Sequence, residues 1–217
     1  HFVHISTAGA LRMIDDAKRR GVDASAETCP HYLLLTADDM ERIGPAAKCA
    51  PPLRDEAERE RMWRMVEDGS VDLIASDHSP CPTEWKASGP GGDFFAAWGG
   101  IAGGQSSLEL MASEGVRRGL PLPAIAKLLA DGPARRFGLS AKGRIAEGFD
   151  ADLAVVDLNR SYALERGMLL QRHKHSPYIG RTIGCKVKET YVRGRLVYAE
   201  SRGIAEPGFG ERVVPSA

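Results

Sequence analysis

The chain has 217 residues, 43% of them hydrophobic, and its 29 basic and 29 acidic residues leave no formal net charge. That composition is typical of a folded globular protein, and it offers no basic surface for nucleic acid or an anionic membrane. No apolar run approaches the length of a membrane span, and the four cysteines lack a C-x-x-C pair, so we expect a cytoplasmic protein with reduced thiols.

Strand and helix patterns alternate through the first third of the chain. Apolar, β-branched runs predict strands, and apolar stripes with polar caps predict helices. The predicted strands cover residues 1–6, 22–28, 48–50 and 71–76, and the predicted helices cover residues 7–20, 36–43 and 54–68. This alternation favours a parallel sheet joined by right-handed crossovers.

A residue able to bind a metal stands near the end of three of these strands. His4 lies in the first strand, His31 follows the second, and Asp77 is the first ionisable residue after the apolar residues 73–75. Alone, an Asp suits a turn cap and a lone His suits a structural role. Three such residues at equivalent points of successive βα units instead predict one rim that holds a divalent metal and activates water.

Residues 81–104 form a long stretch rich in glycine, which is typical of a binding loop or lid. Glycines cluster at residues 89–92 and again at residues 99–104. We expect Phe94, Phe95, Trp98 and Ile101 to be buried, because they are apolar. The stretch lacks the G-x-x-x-x-G-K-[ST] phosphate pattern, which excludes nucleotide binding of that kind.

The pattern changes near Leu139, where we place a domain boundary between residues 1–139 and residues 140–217. Helices are predicted over residues 105–119, 122–131 and 133–137, a strand within 142–157, and a hairpin over residues 186–198. The second part has too few strands for an independent core, so it needs partner strands that this chain does not supply.

Four short stretches together resemble the cyclic amidohydrolases: His-Ile-Ser at 4–6, Thr-Cys-Pro-His-Tyr at 28–32, Lys-Cys-Ala-Pro-Pro-Leu-Arg at 48–54 and Ser-Asp-His-Ser-Pro at 76–80. Residues 97–103 and 172–182 look most like the allantoinase branch. The resemblance covers nearly the whole chain and corresponds to the second half of such an enzyme. It implies an α/β fold: the C-terminal part of a (β/α)8 TIM-type barrel (strands 5–8) followed by a small β-sandwich portion.

The resemblance also implies two divalent metal ions, zinc first and cobalt, manganese or iron as alternatives. Their ligands would include His4, His31 and Asp77. The first-strand H-x-H pair and the carboxylated Lys of the family would precede His1, so we expect an incomplete fragment. His173 and His175 form another H-x-H, but no buried strand precedes them, and we expect them to pack a loop.

Main-chain groups near Ala50 and Ala102 are the implied substrate contacts, together with Ser79, for which a capping hydroxyl is an equally good explanation. The implied reaction hydrolyses a cyclic amide, from allantoin to allantoate, with Asp77 as general base and then acid. The implied partner is a small cyclic ureide, and the intact enzyme is expected to be a homotetramer.

Two groups of alternatives stay open. Within the enzymes, the chain could belong to a dihydropyrimidinase (hydantoinase) or a dihydroorotase. In a different class, it could belong to a non-catalytic dihydropyrimidinase-like oligomer scaffold, against which the presence of His4, His31 and Asp77 argues. The isolated 217-residue chain is expected to be inactive and prone to aggregation, because an opened barrel exposes strand edges.

Overall fold

The computed structural model describes residues 1–87 and 93–215. The chain forms two compact units, one of His1–Leu108 with Ala163–Arg181 and the other of Glu109–Tyr162 with Thr182–Ala217. These units do not coincide with the predicted domains 1–139 and 140–217. The division into domains at residue 139 stays a prediction.

The first unit carries a small parallel sheet flanked by helices. Its regular elements are α1 (Ala8–Arg19), β1 (Glu27–Thr28), α2 (Pro30–Leu34), α3 (Ala37–Ile43), α4 (Glu56–Glu67), β2 (Leu73–Ile74) and α5 (Thr83–Lys86). Strands β1 and β2 pair in parallel, with Glu27 opposite Leu73. Two parallel bridges extend the arrangement, one from Phe2 to Ala26 and one from His78 to Ile101.

Helices α1 and α4 follow the sequence closely because their caps and apolar faces are local signals. The hydroxyl of Thr7 accepts the amide of Ala10 at 3.4 Å and caps α1. The carboxylate of Asp55 accepts the amide of Glu58 at 2.7 Å and caps α4. The buried Trp63 of α4 donates its indole N–H to the carbonyl of Leu33 at 2.7 Å, which fixes α2 against α4.

The strands are much shorter than predicted, and the predicted strand over residues 48–50 is wrong. Strand β1 pairs directly with β2, with no strand from residues 48–50 between them. Pro51 and Pro52 have no amide hydrogen to give to a ladder. The carbonyl of Lys48 instead accepts the amide of Gly100 and the ammonium of Lys86.

The glycine-rich stretch is partly described. Residues 88–92, which contain the first of the two glycine clusters, lie outside the described residues. Ile101 is fully buried as predicted, whereas Phe95 is 90% exposed and Trp98 is 43% exposed. The predicted burial of Phe95 and Trp98 is therefore wrong. The backbone carbonyls of this segment accept hydrogen bonds from the ammonium of Lys48.

The second unit combines helices with an antiparallel sheet. Its elements, counting those at the ends of the unit, are α6 (Ser107–Arg117), α7 (Leu122–Ala126), a π-helical turn (Lys127–Asp131), α8 (Gly132–Arg136), β3 (Leu153–Asp157), β4 (Tyr162–Ala163), β5 (Thr182–Ile183), β6 (Lys186–Val192), β7 (Arg195–Ala199) and β8 (Gly203–Ile204). The sheet has the order β3-β6-β7-β8. The predicted hairpin turns at Arg193 and Gly194, whose φ angles of 48° and 78° suit a tight two-residue loop.

A buried carboxylate joins the helices and strands of this unit. Glu109 accepts the hydroxyl of Tyr162 at 2.6 Å and the amide of Val187 at 2.7 Å. Such charge-assisted bonds are stronger than neutral ones. None of the described helices is both long and apolar enough to cross a membrane.

Candidate active site

The three predicted metal ligands follow strands at one end of the small parallel sheet. His31 and Asp77 each lie four residues beyond the aligned pair Glu27 and Leu73. His4 lies two residues beyond Phe2, which bridges to the residue before Glu27. Parallel strands bring such positions to a common edge, and the predicted rim would lie there.

Two of the three residues have an unusual backbone. His4 has a φ of 41° and Asp77 a φ of 44°, although neither is a glycine. The left-handed region costs L-residues roughly 1 kcal/mol or more and is tolerated mainly where surrounding structure enforces it. His4 lies two residues after the bridge at Phe2, and Asp77 lies three residues after β2. Backbone strain of this kind is concentrated at functional sites.

His31 is fully buried, and neither of its ring nitrogens has a hydrogen-bond partner. Burial, together with the nearby charge of His4, lowers the pKa of His31 to about 3. The ring is therefore neutral at physiological pH and keeps an unused lone pair. Unpartnered buried nitrogens are uncommon and call for an explanation, which a bound metal would supply.

The charge of Asp77 reaches the same neighbourhood. Burial raises the pKa of Glu27, the carboxylate of Asp77 raises it further, and a backbone hydrogen bond from His4 opposes the rise. Burial also raises the pKa of the Cys29 thiol, again with a contribution from Asp77. His4, His31 and Asp77 thus share an electrostatic environment. Within residues 1–87 and 93–215, however, no three His, Cys, Asp or Glu side chains are gathered as a metal-holding group.

Backbone hydrogen bonds bring the three predicted substrate segments together. The amide of Gly100 donates to the carbonyl of Lys48 at 3.0 Å, which joins the segment of Ala102 to that of Ala50. The amide of Ser79 donates to the carbonyl of Ile101 at 2.9 Å. A Cβ on Gly100 would lie 2.7 Å from the Cβ of Ser79, so this approach requires glycine.

The side chain of Ser79 already has a local use. Its hydroxyl donates to the carbonyl of Asp77 at 3.2 Å, a local bond between side chain and backbone. The capping role of Ser79 and its contact with substrate both stay predictions.

Comparison with known proteins identifies the family to which the residues of this site belong. Residues 90–198, half of the chain, match the family model described as "Amidohydrolase family". The chain belongs to the amidohydrolase family. The predicted family is confirmed. The α/β fold class is confirmed as well, but only as the class that this family shares.

Curated relatives of this amidohydrolase chain are named allantoinases. Those of Rubrobacter xylanophilus and Deinococcus radiodurans are 49% and 47% identical over 95% of this chain, which corresponds to 45% of each relative. That of Salmonella newport is 43% identical over 99% of this chain and 47% of its own length. The chain therefore spans about half the length of the curated relatives it matches.

Solved hydantoinases share the fold. The L-hydantoinase (dihydropyrimidinase) of Arthrobacter aurescens superposes with a TM-score of 0.91 at 35% identity, over 96% of this chain and 47% of that one. The D-hydantoinase of a Thermus species gives 0.89 at 29% identity, over 96% of this chain and 46% of that one.

The sequence did not reveal two buried polar residues of this amidohydrolase chain. Glu27 lies within β1, where an apolar side chain is the usual expectation, and its carboxylate lies 3.0 Å from the ring of His1. His175 is buried, and its Nε2 donates to the carbonyl of Cys81 at 2.7 Å. The expected packing role fits His175, but only the fold identifies Cys81, 94 residues away, as its partner.

Proposed function

We propose that this chain is the C-terminal half of a metal-dependent cyclic amidohydrolase that opens allantoin to allantoate. The relatives named allantoinase support this, because they are 43–49% identical over 95–99% of the chain. The observation that carries the proposal is the buried, unpartnered imidazole of His31 beside His4. Since the chain covers 45–47% of those relatives, the whole reaction belongs to the complete gene product.

His4, His31 and Asp77 would hold metal, as neutral imidazoles and a carboxylate suit zinc and also cobalt, manganese or iron. Two divalent ions, when bound, would lower the pKa of water and polarise the ring carbonyl. The free nitrogens of His31 fit this role, since no protein group competes for them.

Asp77 moves the proton in the proposed reaction. Its carboxylate accepts a proton from the water that attacks the ring amide carbon, as a carbon–oxygen bond forms. The ring carbon–nitrogen bond then breaks, and Asp77 returns the proton to the leaving nitrogen. The position of Asp77, three residues after β2 and in a left-handed backbone, supports this role.

Substrate binding falls to the backbone. The hydantoin ring is a flat amide with alternating donors and acceptors, which main-chain groups near Ala50 and Ala102 can match in pairs. Ala50 has no polar side-chain atom, so only its backbone can take part. The hydrogen bonds that join the segments of Lys48, Gly100 and Ile101 support this arrangement.

The finer architecture is part of the same proposal. The chain would supply strands 5–8 of a (β/α)8 barrel and part of a small β-sandwich, with the domains divided near residue 139. The complete enzyme would be cytoplasmic and a homotetramer. Dihydropyrimidinase (hydantoinase) activity is the second candidate, favoured by the TM-score of 0.91 to an L-hydantoinase.

The test is substrate turnover by the complete gene product, stripped with a chelator and reloaded with zinc, cobalt or manganese. We expect allantoin hydrolysis to return with metal and to exceed hydrolysis of hydantoin, dihydrouracil or dihydroorotate. Faster turnover of dihydrouracil would favour the second candidate. Metal-free protein with no turnover of any ring would favour the oligomer scaffold.

A further inference from the structure

Lys86 is a buried lysine whose ammonium group is surrounded by backbone carbonyls. Its side chain lies at the end of α5, and the residue is only 6% exposed. The ammonium donates to the carbonyls of Pro45 at 3.0 Å, Lys48 at 3.1 Å and Trp98 at 3.0 Å. A lysine ammonium has three hydrogens, so all of its donors have acceptors.

A second lysine binds the neighbouring carbonyls. The ammonium of Lys48 donates to the carbonyls of Phe94 at 2.9 Å, Phe95 at 2.8 Å and Ala97 at 2.6 Å. The two ammonium groups together satisfy six carbonyls. Buried or partly buried carbonyls outside a helix or sheet need such donors, because an unsatisfied acceptor is costly.

The carbonyls bound by Lys86 belong to the segments that carry the predicted substrate contacts. The carbonyl of Lys48 lies two residues before Ala50, and it also accepts the amide of Gly100. Trp98 leads into the segment of Ala102, and its indole N–H donates to the carbonyl of Ser79 at 3.2 Å. The single ammonium group of Lys86 therefore forms hydrogen bonds to both segments.

We propose that Lys86 is a positioning residue of the substrate site, whose buried ammonium sets the spacing between the backbone of residues 48–50 and that of residues 98–102. This inference deepens the proposed function and rests on it. Lys86 acts through the backbone and does not touch substrate. A displacement of such groups by about 1 Å is enough to weaken catalysis strongly.

The protonation state of Lys86 allows the proposal to be tested by changing the pH. The pKa of Lys86 is lowered to about 8, mainly by burial and to a smaller extent by the charge of Lys48, while Cys81 and Cys49 act in the opposite direction. A neutral amine has two hydrogens and a lone pair, so one of the three carbonyls would lose its donor. The connection should loosen as the pH rises through about 8.

Tryptophan fluorescence of the 217-residue chain tests this without any activity. Trp98 is 43% exposed and Trp85 is 55% exposed, whereas Trp63 is fully buried, so acrylamide quenching reports mainly on the first two. We expect Lys86→Met to raise the quenching constant at pH 7 by about twofold, because the Trp98 segment gains local freedom.

The control is Lys142→Met, which removes a lysine paired with Asp150 at 2.8 Å in the other compact unit. It should leave the quenching constant unchanged. In the unsubstituted chain, quenching should rise between pH 7 and pH 9.5 with a midpoint near 8, and Lys86→Arg should abolish that step. Equal quenching in folded Lys86→Met and unsubstituted chain, or no step in the unsubstituted chain, would overturn the inference.

Kinetics of the complete gene product then separate the two proposals. We expect Lys86→Met to raise the KM for allantoin roughly tenfold, with a smaller change in kcat, because substrate contacts shift while the reacting groups stay in place. An unchanged KM in an active enzyme would overturn the role of Lys86. An unsubstituted enzyme without allantoin turnover would overturn the proposed function, and the quenching result would still judge Lys86.

Discussion

At the scale of single residues, two buried histidines of this chain differ in what they give to stability. His175 donates one hydrogen bond across 94 positions of sequence, to the carbonyl of Cys81. His31 is also buried and makes no hydrogen bond with either ring nitrogen, whereas His175 lacks a partner only at Nδ1. Sites that bind ligands often break the rule that buried polar atoms are satisfied, so the contrast separates a structural histidine from a candidate ligand.

Leucine substitutions test this contrast. We expect His31→Leu to change the free energy of unfolding by less than about 1 kcal/mol, because no hydrogen bond is lost and two desolvated nitrogens disappear. His175→Leu should cost about 1–2 kcal/mol, because the carbonyl of Cys81 loses its donor. Urea unfolding followed by circular dichroism measures both.

The metal content of the complete gene product supplies the second half of the test. Metal content should fall in His31→Leu and stay normal in His175→Leu. Equal destabilisation by both substitutions, with equal metal content, would remove the distinction between the two histidines.

At the scale of elements, the turn after α8 packs tightly against the π-helical turn. Gly143 has a φ of 92°, and a Cβ there would lie 2.6 Å from the Cβ of Ala134 and 2.8 Å from the carbonyl oxygen of Ala130. Gly148 has a similar φ of 83° but open space around it. Substitutions at Gly143 and Gly148 can therefore distinguish the cost of backbone strain from the cost of steric overlap.

We expect Gly148→Ala to cost about 1 kcal/mol, from the left-handed backbone alone. Gly143→Ala should cost at least about 2 kcal/mol more, because the backbone of the π-helical turn must move. Thermal and urea unfolding of both variants would measure the difference. Equal losses would show that the contact at Gly143 relaxes freely.

Asp131 forms ion pairs that join the π-helical turn to the turn after α8. Burial alone would raise its pKa, but the guanidinium groups of Arg135 at 2.8 Å and Arg144 at 2.6 Å hold the pKa of Asp131 below its ordinary value. A carboxyl with a lowered pKa in the folded state contributes stability above its unfolded pKa. That contribution is lost as the pH falls through the folded pKa.

The stability advantage of the unsubstituted chain over Asp131→Asn should therefore be full at about pH 5–7 and fade below about pH 4, where a free Asp is half protonated. Urea unfolding at a series of pH values measures it. An advantage that stayed constant down to about pH 2 would contradict the ion-pair origin.

Much of the element structure could be predicted because its signals are local. The helices α1, α3 and α4 follow from caps and apolar stripes, and Thr36 with Asp39 forms the reciprocal capping box of α3. The strand at residues 48–50 was predicted wrongly, since its β-like composition competes with the distant donors of Gly100 and Lys86. Local pattern cannot reveal partners that the fold brings together.

The candidate site was predictable to the same extent. The order of His4, His31 and Asp77 after successive strands can be read from the chain, and so can their chemistry. The left-handed backbone of His4 and Asp77 cannot, because neither residue type requires it. Lys86 also escaped notice, because the carbonyls that surround it come from two segments far apart in the sequence.

At the scale of the whole molecule, exposed apolar strand surface governs how the chain behaves in solution. Strand β3 is an edge of the antiparallel sheet, and its Leu153 and Val155 are 36% and 46% exposed. They lie two residues apart and so share a face. An edge of this kind, with unpaired backbone groups and apolar side chains, readily pairs with another chain.

Val155→Lys should therefore keep the chain monodisperse at higher concentration, because a charged edge resists pairing. Light scattering coupled to size-exclusion chromatography measures the effect. Ile145→Lys is the matched control, since Ile145 is 89% exposed in an irregular segment outside any strand. Equal improvement by both variants would point to general surface charge rather than to the strand edge.

The path of the chain between its two compact units also bears on biosynthesis. The polypeptide returns to the first unit at Ala163–Arg181 after building much of the second. When Leu108 has just been synthesised, the chain has thus not yet supplied everything that unit needs. At roughly 5–20 residues per second, the missing segment emerges several seconds later. During that interval the nascent first unit is a natural client for chaperones, and it cannot be produced whole by trimming the gene at a single point.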